Sequence, residues 1–487
     1  MRRLLNIIFA IIFSASAFAQ LQVWKGGKVI YQKPVAEVDS MTFGDNNQYD
    51  DQMRNLDYLF DLDVLAEVKI SVTLKDWNQF LENIYVLELK DAYVPAQFDF
   101  TKGTETWHRD SVGLRPRGNT SFRCAELSDV HQKNSSWQPA HFGVKFTEYA
   151  SGERFFGMDR IIFKFFKDDH AFCREVFCYD LFRRFGVWSA PHVSYCRFSI
   201  YVEGDSKPVY LGVYAMIENP RNGWLDDRQK DGYIPDTNGN MWKCAINAEL
   251  NNTDKSLMGL TDGITYELKT NKTALASAQN ELCDFINGLK KYSDGSNNLK
   301  QWLETNVDVD LLLREMAVNV AVGGWDEYWV LCNNYFFYFD SNHKFYYIPF
   351  DYDNTLGTCN QSGNPGTQNP LYWGSRGEDR MLIKKVLSIK EYEDRYKAYL
   401  KEIVSDDELM SPDGAIARIK KWHAMISPYI ANDTRTDDYM TTHYIEDVPG
   451  YWGWYGNYRL LSGAENGDGQ NKETNFFKVK KKSIDAL

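Results

Sequence analysis

Hydrophobic and polar residues alternate through much of the first half of the chain and recur at helical spacing through the second. Val68 to Leu74 alternates as a strand, and Thr73 followed by Asp76 opens a short amphipathic helix through Trp77–Ile84 in capping-box fashion. Strand-like runs follow at Phe98–Phe100, Val112–Leu114, His141–Phe146 and Arg160–Phe166, the last two presenting Lys145 and Lys164. Asp168 and Asp169 then begin a helix with Phe172, Val176, Tyr179 and Phe182 on one face and Gly186 as its stop. Two more strands, Ser194–Val202 and Val209–Ile217, are joined by a hairpin loop, and Pro220 ends the sheet.

Past Pro220 the period changes. Ala274–Tyr292 carries Leu275, Leu282, Phe285 and Leu289 at helical spacing, and Val309–Val322 is an apolar helix closed by Gly323 and Gly324. Further helical stretches are predicted at Asp379–Val404 and Pro412–Ile430. Between these groups, Trp325–Gly357 reads as two strands joined by the turn Asp340–His343. The predicted class is therefore α+β, with a sheet-rich part over 65–220, a helix-rich part over 221–440, and a C-terminal tail over 441–487.

The ends carry different signals. Arg2 and Arg3, the apolar run to Phe18 and the small-residue pattern ending at Ala19 form a secretory signal peptide over 1–19, too short for a comfortable membrane span. Gln20, not cysteine, follows the expected cut, which argues against a lipid anchor and for a secreted, periplasmic or cell-surface protein without a transmembrane anchor. Residues 20–45 read as a small β module and 46–64 as a linker. The formal net charge of −12 works against nucleic-acid binding, and the one basic run, Lys478–Lys482, reads as a solvated tail or helix end. The eight cysteines permit disulfides in an exported chain, but they lack zinc-like spacing.

Candidate chemistry concentrates in Trp325–Gly357, where Asp326, Asn333, Asn334, Asp351 and Asp353 sit among aromatic and β-branched residues. Carboxylate and amide oxygens at strand ends suit a hard cation such as Mg²⁺. Phosphoryl transfer asks for an Asp to orient the nucleophile, Asp and Asn oxygens for metal, and a cation for the phosphates, and the first two occur here in that order. Asp and Asn are also common turn residues, so spacing alone leaves both readings open.

Several blocks taken together resemble the CotH kinase family: VGLRPRGNTS at Val112–Ser121, VKF at Val144–Phe146, the DDHAFCREVFCYDLFRRFG stretch, VYLGVYAMIEN at Val209–Asn219, MWKC at Met241–Cys244, and WDEYWVLCNNYFFYFD followed by YYIPFDYDNTLG. The resemblance spans roughly residues 65 to 440. It implies a secreted, atypical protein-kinase-like bilobal fold with a β-rich N-lobe and a helical C-lobe, using ATP and Mg²⁺, or Mn²⁺ in its place, on Ser or Thr of a protein substrate. On this resemblance Asp326 is the catalytic residue, Asp351 and Asn334 bind metal, and Asp353 is a second metal oxygen or a turn residue. Lys145 is the phosphate-binding lysine and Glu175 its partner. Arg117 contacts nucleotide or phosphate, or stabilises its turn. Glu218 holds ribose at the lobe junction or caps a strand edge. One departure is that His141 and Phe142 replace part of a basic pattern. The rival expectation is a pseudokinase, or a cell-surface binding or scaffold protein that stacks its many aromatic residues on glycans.

Overall fold

The structure, a computed structural model, describes residues 20–25, 28–34, 55–119, 121–125, 137–358, 363–374, 380–435, 443–448, 458–466 and 473–487. The expected signal peptide lies outside them. The chain divides into two units, residues 1–49 and 50–487. In the first, β1 (Gln20–Lys25) and β2 (Lys28–Pro34) form an antiparallel hairpin.

In the second unit, seven strands close into a barrel: β3 (Ala66–Val72), β4 (Val94–Lys102), β5 (Glu105–Arg117), β6 (His141–Lys145), β7 (Arg160–Phe165), β8 (Val193–Val202) and β9 (Val209–Glu218). Their order is β3-β4-β5-β6-β7-β9-β8, and a parallel β3–β8 pairing completes the ring. Inward positions are aromatic. Phe142 packs on Phe198 at 5.3 Å and Phe163 on Phe198 at 5.0 Å between ring centroids. Because side chains alternate along a strand, the outer wall of β6 and β7 carries His141, Lys145 and Lys164.

The segment expected to be a linker is folded from Asn55 onward. Helix α1 (Leu56–Leu59) is capped by the Asn55 side chain and buries Leu56 and Leu59. Lys102 on β4 donates to the carbonyls of Leu59 at 3.1 Å and Asp61 at 3.0 Å. Helix α2 (Leu74–Tyr85) has the Thr73 cap that the sequence indicates, with Asp76 N–H donating to Thr73 Oγ1 at 3.1 Å.

Helix α3 (Arg174–Arg184) leaves the barrel after β7. It begins later than Asp168 because Asp168 and Phe172 hold left-handed backbone, with φ of 55° and 51°. The Asp169 carboxylate instead accepts the N–H groups of Ala171, Cys173 and Arg174 at 2.8–3.1 Å. Helix α4 (Asn222–Lys230) follows β9.

A second sheet, of order β11-β12-β10-β13-β14, comprises β10 (Asn240–Cys244), β11 (Met258–Gly259), β12 (Tyr266–Leu268), β13 (Tyr335–Phe339) and β14 (Phe345–Pro349). The β13–β14 hairpin is buried on both faces, more than simple alternation would require. Around it run α5 (Leu275–Lys291), α6 (Asn297–Asn306), α7 (Val309–Val322), α8 (Met381–Leu387), α9 (Lys390–Ser405) and α10 (Pro412–Ile426). Phe285 of α5 stacks on Phe345 of β14 at 4.8 Å.

The C-terminal basic run is not a solvated tail. Helix α11 (Phe476–Asp485) buries Phe476, Phe477, Val479 and Ile484. Lys480 is 0% exposed, donates to the Pro365 carbonyl at 2.8 Å and lies 4.1 Å from the Trp373 ring centroid. Cys124, Cys173, Cys178, Cys196, Cys244 and Cys283 are buried free thiols. No helix among the described residues is long and apolar enough to cross a membrane.

Glu218, at the end of β9, is a buried structural anion. Arg228 of α4 grips both its oxygens, at 2.5 and 2.8 Å, and His192 Nδ1 lies 2.7 Å away. Burial opposes ionisation, but Arg228 and His192 outweigh it and hold the carboxyl below its usual range. Its oxygens are thus committed to the α4–β9 junction. Replacing Glu218 by Ala strands the Arg228 guanidinium in the interior, so urea denaturation at neutral pH is expected to show a loss of about 3–5 kcal/mol; an unchanged midpoint would contradict this role.

Candidate functional site

The turn after α7 sets the first element of the site. Gly323 is the left-handed C-cap, with φ of 71°. Gly324 follows where a Cβ would meet the Asn319 side-chain oxygen at 2.1 Å, so any larger residue would have to displace that amide. Trp373 Nε1 donates to the Gly324 carbonyl at 2.7 Å, and Trp325 Nε1 to Thr358 Oγ1 at 3.2 Å. Asp326 is delivered next, and Glu327 holds the following turn by accepting the N–H groups of Trp329 at 2.7 Å and Val330 at 3.1 Å.

Three amides orient Asp326. Asn333 Nδ2 donates to its Oδ1 at 3.0 Å, Asn354 Nδ2 to its Oδ2 at 3.2 Å, and Asn334 Nδ2 to its main-chain carbonyl at 3.0 Å. Burial pushes the Asp326 carboxyl up to about 7; the Asn333 bond resists this, and the charges of Asp351 and Asp353 add to it. A carboxyl poised near neutrality beside a cavity has the properties of a general base.

The second element is a charge cluster centred on Lys164 of β7. Its ammonium lies 2.7 Å from Glu175 of α3, 2.6 Å from Asp351 and 3.1 Å from Asp353. Burial disfavours the lysine charge, yet the three carboxylates outweigh burial and raise its pKa well above the usual value. One ammonium does not balance three acids. Burial and mutual repulsion push the Glu175 and Asp353 carboxyls up, whereas Asp351 stays low despite burial because Lys164 bonds it directly. Asp351 holds φ of 66°, and its N–H donates to Tyr179 Oη of α3 at 2.8 Å. Helix α3 thus fixes both sides of the cluster.

The two elements face one cavity of about 320 Å³, lined among others by His141, Lys164, Lys167, Asp326, Asn334 and Asp353. A neighbouring cavity of about 160 Å³ shares His141, Lys164, Asn334 and Asp351 and adds Arg115, Arg117, Lys243 and Phe350. One oxygen each from Glu175, Asp351 and Asp353 lies within 4.8 Å of the others, a hard-oxygen set that suits a divalent cation.

Of the residues named from sequence, the structure brings together Asp326, Asn334, Asp351, Asp353, Glu175 and, on the second cavity, Arg117. It does not bring Lys145 to them. Lys145 pairs with Glu148, lies 5.5 Å from the Tyr93 ring and lines neither cavity. The register explains this. Phe142 pairs with Phe163, so His141 sits beside Lys164, while Lys145 lies four residues along, about 13 Å away at strand rise. Glu218 also lines neither cavity. The family resemblance gives Asn333 no role of its own, and Asn354 is not among the sequence candidates, although an Asn following Asp353 is a visible signal.

The CotH kinase protein family profile matches residues 114–461. No curated protein sequence matches the chain. The matched span includes every residue of both cavities except Lys90 and Asp91, together with all of the Lys164 cluster and Asp326. With most of its length covered, this kinase-like chain belongs to the CotH kinase family.

Proposed function

We propose that this protein is a secreted kinase of bilobal plan that transfers the γ-phosphoryl group of ATP to Ser or Thr of an exported or surface protein. The observation that carries the reading is the juxtaposition of Asp326, oriented by three amides and poised near neutrality, with the Lys164–Glu175–Asp351–Asp353 cluster on one cavity. The barrel is the β-rich lobe, and α5 to α10 with the second sheet make the helical lobe.

Asp351 and Asp353, with Glu175, fit a hard divalent cation because they offer three oxygen donors within 4.8 Å of one another, and Asn334, whose side-chain nitrogen is bonded to the Asp326 carbonyl, adds an amide oxygen on the same cavity. Mg²⁺ or Mn²⁺ bound there supplies neutralisation of phosphate charge. Lys164 provides the protein's own cation for the phosphates, held in place by Glu175. Asp326 orients the acceptor hydroxyl and takes its proton, while Asn333 and Asn354 fix the carboxylate plane. Phosphoryl transfer depends mainly on such positioning and charge stabilisation.

Incubation with radiolabelled ATP, Mg²⁺ and a casein-like acceptor tests the roles. Lys164→Met is expected to lower labelling by about 10²-fold or more, whereas Lys145→Met leaves it nearly unchanged; the reverse order would contradict the assignment.

The Asp326 carboxyl gives a second test through pH. As a base it must be deprotonated, so kcat/KM is expected to fall as pH drops below about 7. Stability runs the other way. The folded state retains this proton up to about pH 7 and the unfolded chain only to about 4, so stability is lost as pH rises through that window. Asp326→Asn is expected to abolish transfer yet raise stability at pH 8 by up to about 4 kcal/mol. Lower thermal stability of the variant at pH 8 would contradict this picture.

A further inference from the structure

Resting on the nucleotide reading above, we propose that His141 and Arg117 form the phosphate-binding wall of the cleft, with His141 donating a hydrogen bond to a phosphate oxygen of the bound nucleotide. His141 is 6% exposed, yet neither ring nitrogen bonds to any described residue, and Nδ1 is buried without a partner. Buried polar nitrogens are rarely left unpaired, and with Nδ1 closed to solvent the other ring nitrogen is the one left to carry its N–H to a ligand. The ring lines both cavities.

The barrel register builds the wall. Arg117 pairs directly with His141 across β5 and β6, and the Phe142–Phe163 pairing sets His141 beside Lys164. Opposed residues share a face, so Arg117, His141 and Lys164 form a row on the outer surface of the barrel. The Phe165 ring lies 4.8 Å from the imidazole and holds its plane. Above the row, Gly118 turns the chain at φ of 85°, close enough that a Cβ there would meet His141 Cδ2 at 3.3 Å.

Charge gives the ligand its sign. Burial above all, with the charges of Lys164, Lys167 and Arg117 beside it, holds the His141 pKa well below the usual value. The imidazole is therefore neutral in the free protein and has one N–H to give. Arg117 makes no hydrogen bond or ion pair among the described residues, while the acids of the second cavity are engaged elsewhere: Asp91 with Arg115, Asp262 with Lys243 at 3.2 Å, and Asp351 with Lys164. A row of Arg, His and Lys with its local acids already paired accepts a polyanion, and an extended phosphate chain matches its linear layout. His141 then adds a second phosphate contact beside Lys164, on the strand along which Lys145 lies too far to reach.

Isothermal titration of the full chain with ATP, tripolyphosphate and adenosine, each with Mg²⁺, tests this without requiring turnover. His141→Phe is expected to weaken ATP and tripolyphosphate by about ten-fold or more while leaving adenosine unchanged. His141→Gln, which keeps a donor, recovers part of the loss, and thermal melts of both variants verify folding. Wild-type binding of ATP with unaltered affinity in both folded variants overturns the inference and leaves the kinase reading standing. A wild-type chain that binds neither ATP nor tripolyphosphate overturns the kinase reading and this inference together.

Discussion

One ammonium among three carboxylates ties the architecture of the site together. Lys164 belongs to a barrel strand, Glu175 to the helix that leaves the barrel, and Asp351 and Asp353 to the segment after β14. Removing the Lys164 ammonium leaves three acids facing one another across a largely enclosed site, where the cost of unpaired charge is several kcal/mol. The cluster is therefore both a structural joint and a charge imbalance. Its crowded carboxyl oxygens would favour a divalent cation that relieves their repulsion, and the barrel wall beside it would favour an anion.

The surrounding chain spends backbone freedom to hold this arrangement. Asp168, Phe172, Asn334 and Asp351 all adopt left-handed φ near the cluster, although none is glycine. Such conformations cost energy and persist where the surrounding structure enforces them. Tyr179 and Asp169 do that enforcing here, through bonds to the Asp351 N–H and to the N–H groups at the start of α3. Asp326 carries a cost of a different kind, since its carboxyl is buried beside two others and held ready to take a proton. Strain and poise of this sort fit a site that trades stability for chemistry.

Local pattern made part of this legible. Val309–Val322 appears as one helix because an apolar run ends at Gly323, whose left-handed cap needs only neighbouring residues. The β13–β14 hairpin was readable for the same reason, from its aromatic strands and an Asp340 turn that bonds its own loop at Asn342 and Lys344. The choice between Lys145 and Lys164 was not local. Both alternate outward on adjacent strands, and only the barrel register separates them. Of the two roles open to Glu218 the structure shows the structural one, which was not legible because its partners, Arg228 and His192, meet it through folding; the basic run is a helix, as one of its readings had it, but it hides Lys480, buried against Trp373. Asn333 and Asn354 gain their meaning from Asp326, which both reach from the open end of the β13–β14 hairpin.

Everything proposed for this site depends on the Lys164 cluster being shared by a divalent cation and phosphate. Anomalous diffraction from crystals grown with Mn²⁺ and a non-hydrolysable ATP analogue measures this directly. The predicted result is a manganese peak coordinated by Asp351 and Asp353, with the Lys164 ammonium on a phosphate oxygen. A nucleotide bound elsewhere, with Lys164 still among its three carboxylates and no manganese beside them, would contradict it.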